Sequence, residues 1–200
     1  MLSLEISIIG QGLFGNFLRK EFEAQGVSVV EDAGLIILAV PISAYEEVAQ
    51  QYEGKHLVNV CSVQELSNNI CVQYSGKVTG IHPMFGPRSP KENRTSVVTH
   101  TCGESEEVLN LFRSISSEIV THLDDGRVID GTLHDQMMAL THGATVQMAG
   151  KLKPIVEAAD WIPQNCLPAS FKRMKDVIDQ LGDMSLGTLE SIKSNPYLES

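Results

Sequence analysis

Residues 4–25 read LEISIIGQGLFGNFLRKEFEAQ, and this stretch decides the fold. An apolar run ends on Gly10, a glycine-rich turn follows, and Phe14, Phe17, Leu18 and Phe22 then recur at helical spacing. Strand, glycine turn and helix in that order are the opening of a βαβ unit. The turn itself, Gly10, Gly12 and Gly15, matches GxGxxG, a weak pattern alone that gains meaning between a strand and a helix. In such a turn the first glycine permits the sharp reversal, the second lets backbone approach a pyrophosphate, and the third lets helix and strand pack closely. The helix N-terminus adds free N–H groups and partial positive charge. Gly10, Gln11, Gly12, Leu13, Phe14 and Gly15 are therefore expected to hold the phosphates of a dinucleotide.

Outward from this turn, short apolar runs at 27–30, 35–40, 57–60, 78–81, 96–99 and 119–122 alternate with helical patterns at 43–51 and 104–116. Continuous apolar strands of this kind are buried on both faces, which predicts a Rossmann-like, doubly wound, mostly parallel sheet over residues 1–127. From residue 128 the character changes. Met137, Leu140, Ala144, Met148 and Leu152 form one apolar stripe across a helix predicted over 133–153, with Pro154 ending or kinking it. Further helices are expected at 171–181 and 184–193. The chain thus reads as α/β followed by a small all-helical part, 128–200. The stripe, with Met137, Leu140, Met148 and Leu152, is too apolar for so short a segment to cover alone, which predicts a homodimer through these helices. Trp161 and the methionines read as core.

Composition narrows the function. The chain has 200 residues, 42% of them hydrophobic, and a net charge of −10 without any long basic block, which argues against a nucleic-acid surface. No apolar stretch reaches bilayer length, and the N-terminus lacks the basic and cleavable features of a leader, so no membrane association and a cytoplasmic location are expected. Cys61, Cys71, Cys102 and Cys166 make no CxxC pair, so reduced thiols are expected and neither a metal site nor a redox dithiol is suggested.

Beyond the second strand, Glu31 or Asp32 is placed to take the adenosine ribose hydroxyls. Either acid would repel a 2′-phosphate, which favours NAD over NADP. The chain passes from "VVED" through "AG" directly into "LIILAV", leaving no room for the extra helix and strand of a full mononucleotide unit. Val40 and Pro41, at the end of that third strand, should also border the cofactor. A second unusual stretch is 78–90, VTGIHPMFGPRSP, where glycine and proline predict a shaped turn after Ile81 with His82 at a strand mouth. Turn chemistry alone leaves His82 as a base, a ligand or a turn residue. Ser62, after the strand ending at Val60, reads equally as a helix N-cap or a site residue.

In order, "IIGQGLFG", "ILAVPIS", "VNVCSVQ", "GIHPMFGP" and "LHDQMMA" resemble the prephenate dehydrogenase family of tyrosine biosynthesis over roughly residues 4–150, with "GIHPMFGP" the most specific piece. The resemblance implies NAD-dependent oxidative decarboxylation of prephenate or a related cyclohexadienyl acid. It implies His82 as the catalytic base, Ser62 as the group sharing the substrate hydroxyl or orienting the nicotinamide, and His134 as a substrate-side histidine. A neutral imidazole suits proton sharing near neutral pH. For His134 the alternative is a surface histidine at a helix start.

The match fails on the substrate side. Where the family usually carries a second histidine this chain has Val146, with His142 one turn earlier as a partial substitute; Gln64 stands for a common lysine; and Glu190 falls where a carboxylate-binding arginine is expected. The chain also stops at Ser200, short of the family's helical dimerisation domain. A dianionic substrate needs local positive charge, because an unpaired buried carboxylate is costly. Arg88, Lys91 and Arg94 are the nearest candidates by sequence, against the alternative of a solvated loop. Two further readings follow from these departures: a relative acting on another small acid, and a cofactor-binding regulatory or interaction module without catalysis.

Overall fold

A computed structural model of the chain describes residues 4–182 and 186–198. Seven strands form one sheet: β1 (Glu5–Ile9), β2 (Ser28–Val29), β3 (Leu35–Leu38), β4 (His56–Asn59), β5 (Val78–Pro83), β6 (Thr95–Cys102) and β7 (Glu118–Val120). Their spatial order is β2-β1-β3-β4-β5-β6-β7, parallel throughout except for the antiparallel β5–β6 pair. The fold is therefore Rossmann-like, as the alternating pattern predicts. Residues 30–34 carry the chain directly from β2 to β3 on the other side of β1, so the adenosine side of the sheet is short by one strand and one helix. The order reverses at β1, which creates the crevice at the carboxyl strand ends where open α/β sheets place ligands.

Helices α1 (Leu13–Ala24) and α4 (Glu106–Ile115) cover one face, with Phe17, Leu18, Phe22, Val108, Leu111 and Phe112 buried against Ile6, Ile8, Leu35 and Ile37. Helices α2 (Tyr45–Gln51) and α3 (Gln64–Tyr74) flank the other, where Tyr45, Ala49 and Cys71 meet Ile36, Leu38 and Leu57. The α3 helix has no counterpart in the apolar periodicity. Its buried positions are Gln64, Ser67, Asn68 and Cys71, mostly polar, so hydropathy gives no stripe.

The expected turn after Ile81 proves to be strand. β5 continues through His82 and Pro83, whose partners on β6 are Val97 and Ser96. Pro83 can end a strand because it needs only to accept there, and the shaped loop begins at Met84. The expected long C-terminal helix is divided: α5 (Gly131–Met138), one π-helical turn (Ala139–Gly143) and α6 (Ala144–Ala158). Pro154 does not end α6 but lies inside it. Val156, beyond the proline, is buried with Ala149 against Ile178 of α7 (Ala169–Gly182), and this packing offsets the lost backbone bond. α8 (Leu186–Lys193) follows; the predicted start of this helix at Met184 lies outside the described residues. The reading of Trp161 and of the stripe as core is corrected: Trp161, beyond α6, and Leu140, in the π-helical turn, are 81% exposed, and Met148 is 59% exposed on the side of α6 away from the Ala149, Val156 and Ile178 cluster.

Candidate active site

The glycine turn has the geometry its sequence calls for. Gly10 has φ +122°, and a Cβ there would sit 2.1 Å from Ala39 O; a Cβ on Gly15 would sit 2.2 Å from Gly10 O. Both glycines are required by close backbone approach, which locks β1, α1 and the end of β3 together. A Cβ on Gly12 would meet nothing within 4 Å. Gly12 is the N-cap of α1 and has no side-chain cap, so the first N–H groups of that helix face an open cradle. Gln11 and Leu13 are exposed beside it, Phe14 is half-buried, and Val40 and Pro41 border the end of β3. These residues fit a dinucleotide phosphate. Glu31 and Asp32 are both exposed beyond β2, and Asp32 is ion-paired with Lys55, whose amine also donates to Ala33 O at 2.8 Å.

Two and three strands along the sheet from β1, the carboxyl ends of β4 and β5 deliver Ser62 and His82. Asn59, the last residue of β4, is tied down from several sides: its amide nitrogen donates to Ser67 Oγ at 2.6 Å and Asn68 Oδ1 at 2.8 Å, while its carbonyl oxygen accepts from Tyr45 Oη and Cys61 N. The turn carrying Cys61 and Ser62 is thereby held rigid. Ser62 is not a helix cap, since the N-cap of α3 is Val63 and carries no side-chain cap bond. The cap comes instead from across the fold: Asp135 Oδ1 accepts from Gln64 N at 2.8 Å and Asp135 Oδ2 from Glu65 N at 2.9 Å.

Asp135 also reaches the histidines. His134 Nδ1 lies 2.8 Å from Asp135 Oδ1, and His134 Nε2 lies 2.9 Å from His82 Nδ1. The two imidazoles meet edge to face, with centroids 4.9 Å apart at 82°. His134 and Asp135 are fully buried and His82 nearly so, so His134 is not the surface histidine that its helix start would allow. Burial, followed by the neighbouring His134 and His142, pushes the His82 pKa well below its ordinary value, which keeps the imidazole neutral. His142 is half-buried, and burial lowers its pKa as well. Asp135 is the functional residue missed in the sequence. Its signal was present in "LHDQMMA", an acid directly after a motif histidine.

Ser62 and His142 share a cavity of about 10 Å³ with Met138, Gly143, Ile192 and Asn195. That space holds about one water. Its outer wall comes from the C-terminal segment, fixed by Asn195 Nδ2 donating to Asp135 O at 2.8 Å and Tyr197 Oη to Glu65 Oε2 at 2.8 Å. Gln64, where the resemblance would place a lysine, turns inward: its Oε1 accepts from Thr99 Oγ1 at 2.5 Å and its Nε2 donates to Cys61 O.

The structure does not bring the loop cations to this cavity. Arg94 is buried, donates to Glu21 Oε2 at 2.7 Å and Ser89 O at 2.9 Å, and lies over the Phe17 and Phe85 rings at 4.9 and 5.6 Å. It pins the loop to α1 and is not available to a substrate, a correction to its reading as a replacement clamp. The Lys91 amine donates to Ser114 O on α4 at 2.9 Å, and Arg88 is exposed on the loop.

Comparison with known proteins places the chain among structures of the same fold. No family model matches the chain. A protein of Methanocaldococcus jannaschii named as an arogenate/prephenate dehydrogenase is 27% identical over 150 residues, 69% of this chain and 33% of the relative, so the chain spans about a third of that protein. Among solved structures, a Corynebacterium glutamicum protein provisionally assigned as a prephenate dehydrogenase superposes with TM-score 0.72 at 18% identity, covering 99% of this chain and 77% of that one. The A. aeolicus prephenate dehydrogenase, solved with hydroxyphenyl propionate and NAD+, superposes with TM-score 0.61 at 13% identity over 96% and 87% of the two chains. In sequence and in fold the chain is similar to prephenate and arogenate dehydrogenases.

Proposed function

We propose that the protein is an NAD-dependent dehydrogenase acting on prephenate or a related cyclohexadienyl acid. The observation that carries this reading is His82: a neutral, buried imidazole at the carboxyl end of a central strand, on the same sheet edge as Ser62 and the open Gly12 cradle. NAD, held by residues 10–15 with Glu31 at the ribose and Val40 and Pro41 alongside, would supply the hydride acceptor. Asp32 is already engaged by Lys55, which leaves Glu31 as the acid for the ribose hydroxyls.

The chemistry asked of the chain is modest. As hydride leaves the carbinol carbon, positive charge builds there unless the hydroxyl proton is shared, and His82 is the acceptor for that proton. Ser62 shares the hydroxyl or orients the nicotinamide. For a cyclohexadienyl acid, the electron pair of the C–carboxylate bond flows into the ring as carbon dioxide leaves, and aromatisation drives the step. Of His134, His142, Arg88 and Lys91, only His142 is proposed for the substrate side, since His134 is fully buried with both ring nitrogens engaged and the loop cations are not brought to the cavity; residues 128–200 are proposed as the substrate and dimer segment. His142 is the one of these on the cavity wall. A space of about 10 Å³ is smaller than a ring-sized substrate.

The same small cavity, with Gln64, Val146 and Glu190 at the positions of the missing polar groups, favours the second reading, a cofactor-binding relative that acts on another small acid or regulates. A cytoplasmic homodimer remains the proposed state; its four cysteines are unpaired, and among the described residues no helix is long and apolar enough to cross a membrane. The test is calorimetric titration with NAD and NADP, then reduced-cofactor absorbance with prephenate and arogenate. NAD binding with turnover of either acid supports the proposal. Binding without turnover moves the case to the second reading, and no binding of either cofactor refutes both.

A further inference from the structure

We infer that Asp135 is a positioning residue: acting through His134, it holds His82 in the tautomer that carries its proton on Nδ1 and leaves Nε2 bare to accept the substrate hydroxyl. This rests on the reading of His82 as the base. The direction of the chain of hydrogen bonds is fixed at its far end. Backbone N–H groups only donate, and those of Gln64 and Glu65 occupy both Asp135 oxygens, at 2.8 and 2.9 Å. Both oxygens are therefore acceptors, and His134 Nδ1, 2.8 Å from Oδ1, must be the donor.

A neutral imidazole with its proton on Nδ1 has a bare Nε2. At 2.9 Å that nitrogen can only accept, so His82 Nδ1 donates to it. His82, kept neutral by burial, then has a bare Nε2 of its own. With His134 neutral, no other arrangement avoids setting two protons, or two lone pairs, against each other; an imidazolium at His134, donating from both nitrogens, would instead place the His82 proton on Nε2, and the nitrogen spectrum separates the two. When His82 takes a share of the hydroxyl proton, its Nδ1–H is already engaged by His134, and Asp135 stabilises the developing charge without itself being protonated, as the acid of a Ser-His-Asp triad does. Two helices join in the device: the acid that orients the base also caps α3.

The test reads the tautomer directly. In 15N-histidine-labelled protein at pH 7.5 without ligands, the two-bond proton–nitrogen spectrum of His82, assigned by its loss in His82→Gln, should show a protonated Nδ1 and a bare Nε2; the opposite pattern overturns the inference. Asp135→Asn places an amide donor within reach of His134 and should move the His82 proton toward Nε2. With whichever of prephenate or arogenate is turned over, its kcat should fall by about 10²–10⁴-fold while the NAD Kd stays within about twofold. A merely structural Asp135 would lower thermal stability and leave the His82 spectrum and kcat unchanged, and that outcome also overturns the inference. Should Asp135→Asn fail to fold, His134→Gln and His134→Phe decide. Glutamine can donate to Asp135 and accept from His82, so it keeps the tautomer; phenylalanine cannot, and the preference should be lost. Equal spectra for the two variants refute the relay. If neither acid is turned over, the proposed function fails, yet the spectra still decide the tautomer.

Discussion

The two glycines at the ends of the cradle should separate stability from cofactor binding. At Gly10 the backbone has φ +122°, a region that costs a side-chain-bearing residue about 1–3 kcal/mol, and the added Cβ would lie 2.1 Å from Ala39 O. Backbone cannot swing aside as a side chain can, so relief of the overlap costs a further ~1–3 kcal/mol. Gly10→Ala should therefore lose about 2–6 kcal/mol, and at roughly 2–4 °C per kcal/mol for a chain of this size the melting temperature should drop by about 5–20 °C. Gly12 has φ −70° and ψ −179°, open to any residue, and a Cβ there touches nothing. Gly12→Ala should shift the melting temperature by no more than about 3 °C, the cost of a poorer cap. The methyl would occupy the space a pyrophosphate must enter, so the NAD Kd should rise at least about tenfold, which is about 1.4 kcal/mol. Scanning fluorimetry and titration calorimetry on both variants measure the pair of effects. Wild-type NAD affinity in Gly12→Ala would refute the phosphate cradle, and a wild-type melting temperature in Gly10→Ala would refute the close approach of Gly10 to Ala39.

His82→Asn should abolish turnover while sparing NAD affinity; surviving activity would remove His82 as the base. Because the folded protein depresses the His82 pKa, the unfolded chain binds a proton below about pH 6.5 that the native state excludes, so stability is lost as pH falls from about 6.5 toward the native value. The slope from this one group reaches about 1.4 kcal/mol per pH unit. Urea titrations at pH 7.5 and 5.5 should show the loss, and His82→Asn should reduce it without removing it, since burial lowers His56, His100 and His142 in the same direction. Arg94→Met should cost about 2–3 kcal/mol, below the usual figure for breaking a buried pair because Glu21 is 30% exposed; a melting temperature within 2 °C of wild type, as an order-of-magnitude bound, would show that the loop does not depend on it. Light scattering should give a dimer, because Leu140, Met148 and Ile155 remain exposed along one helical line with Trp161 beyond them; a clean monomer at micromolar concentration would refute it.

What the sequence reveals and conceals follows from how each element is buried. The strands of the sheet announce themselves as continuous apolar runs because both faces are covered, and even the missing adenosine-side helix shows as a connection too short to hold one. The α3 helix stays hidden because its inner face is amide and hydroxyl: Gln64, Ser67 and Asn68 are buried through hydrogen bonds with Asn59 and Thr99, and hydropathy does not register a face satisfied in that way. The π-helical turn at 139–143 is equally silent, since its residues suit an ordinary helix. Trp161 misleads for the opposite reason, being a large apolar residue placed on the surface. Arg94 looks like a solvated loop charge or a ligand clamp, and only the fold reveals Glu21 and two aromatic rings waiting for it.

The site itself joins pieces more than fifty residues apart, and Asp135 is where they meet. A serine directly after a strand commonly spends its hydroxyl on the first turn of the next helix. Here that turn is capped from α5 by Asp135, whose two oxygens take the Gln64 and Glu65 N–H groups. Ser62 is thereby relieved of the role that its position would assign it, and it lines the cavity with His142. The same carboxylate orients His134, which contacts His82. Loss of one acid would therefore disturb both polar groups proposed to meet the substrate hydroxyl, Ser62 through its helix and His82 through its tautomer. The two routes are distinguishable: the first changes where Ser62 sits and the binding of ligands at the cavity, the second changes which nitrogen of His82 carries the proton.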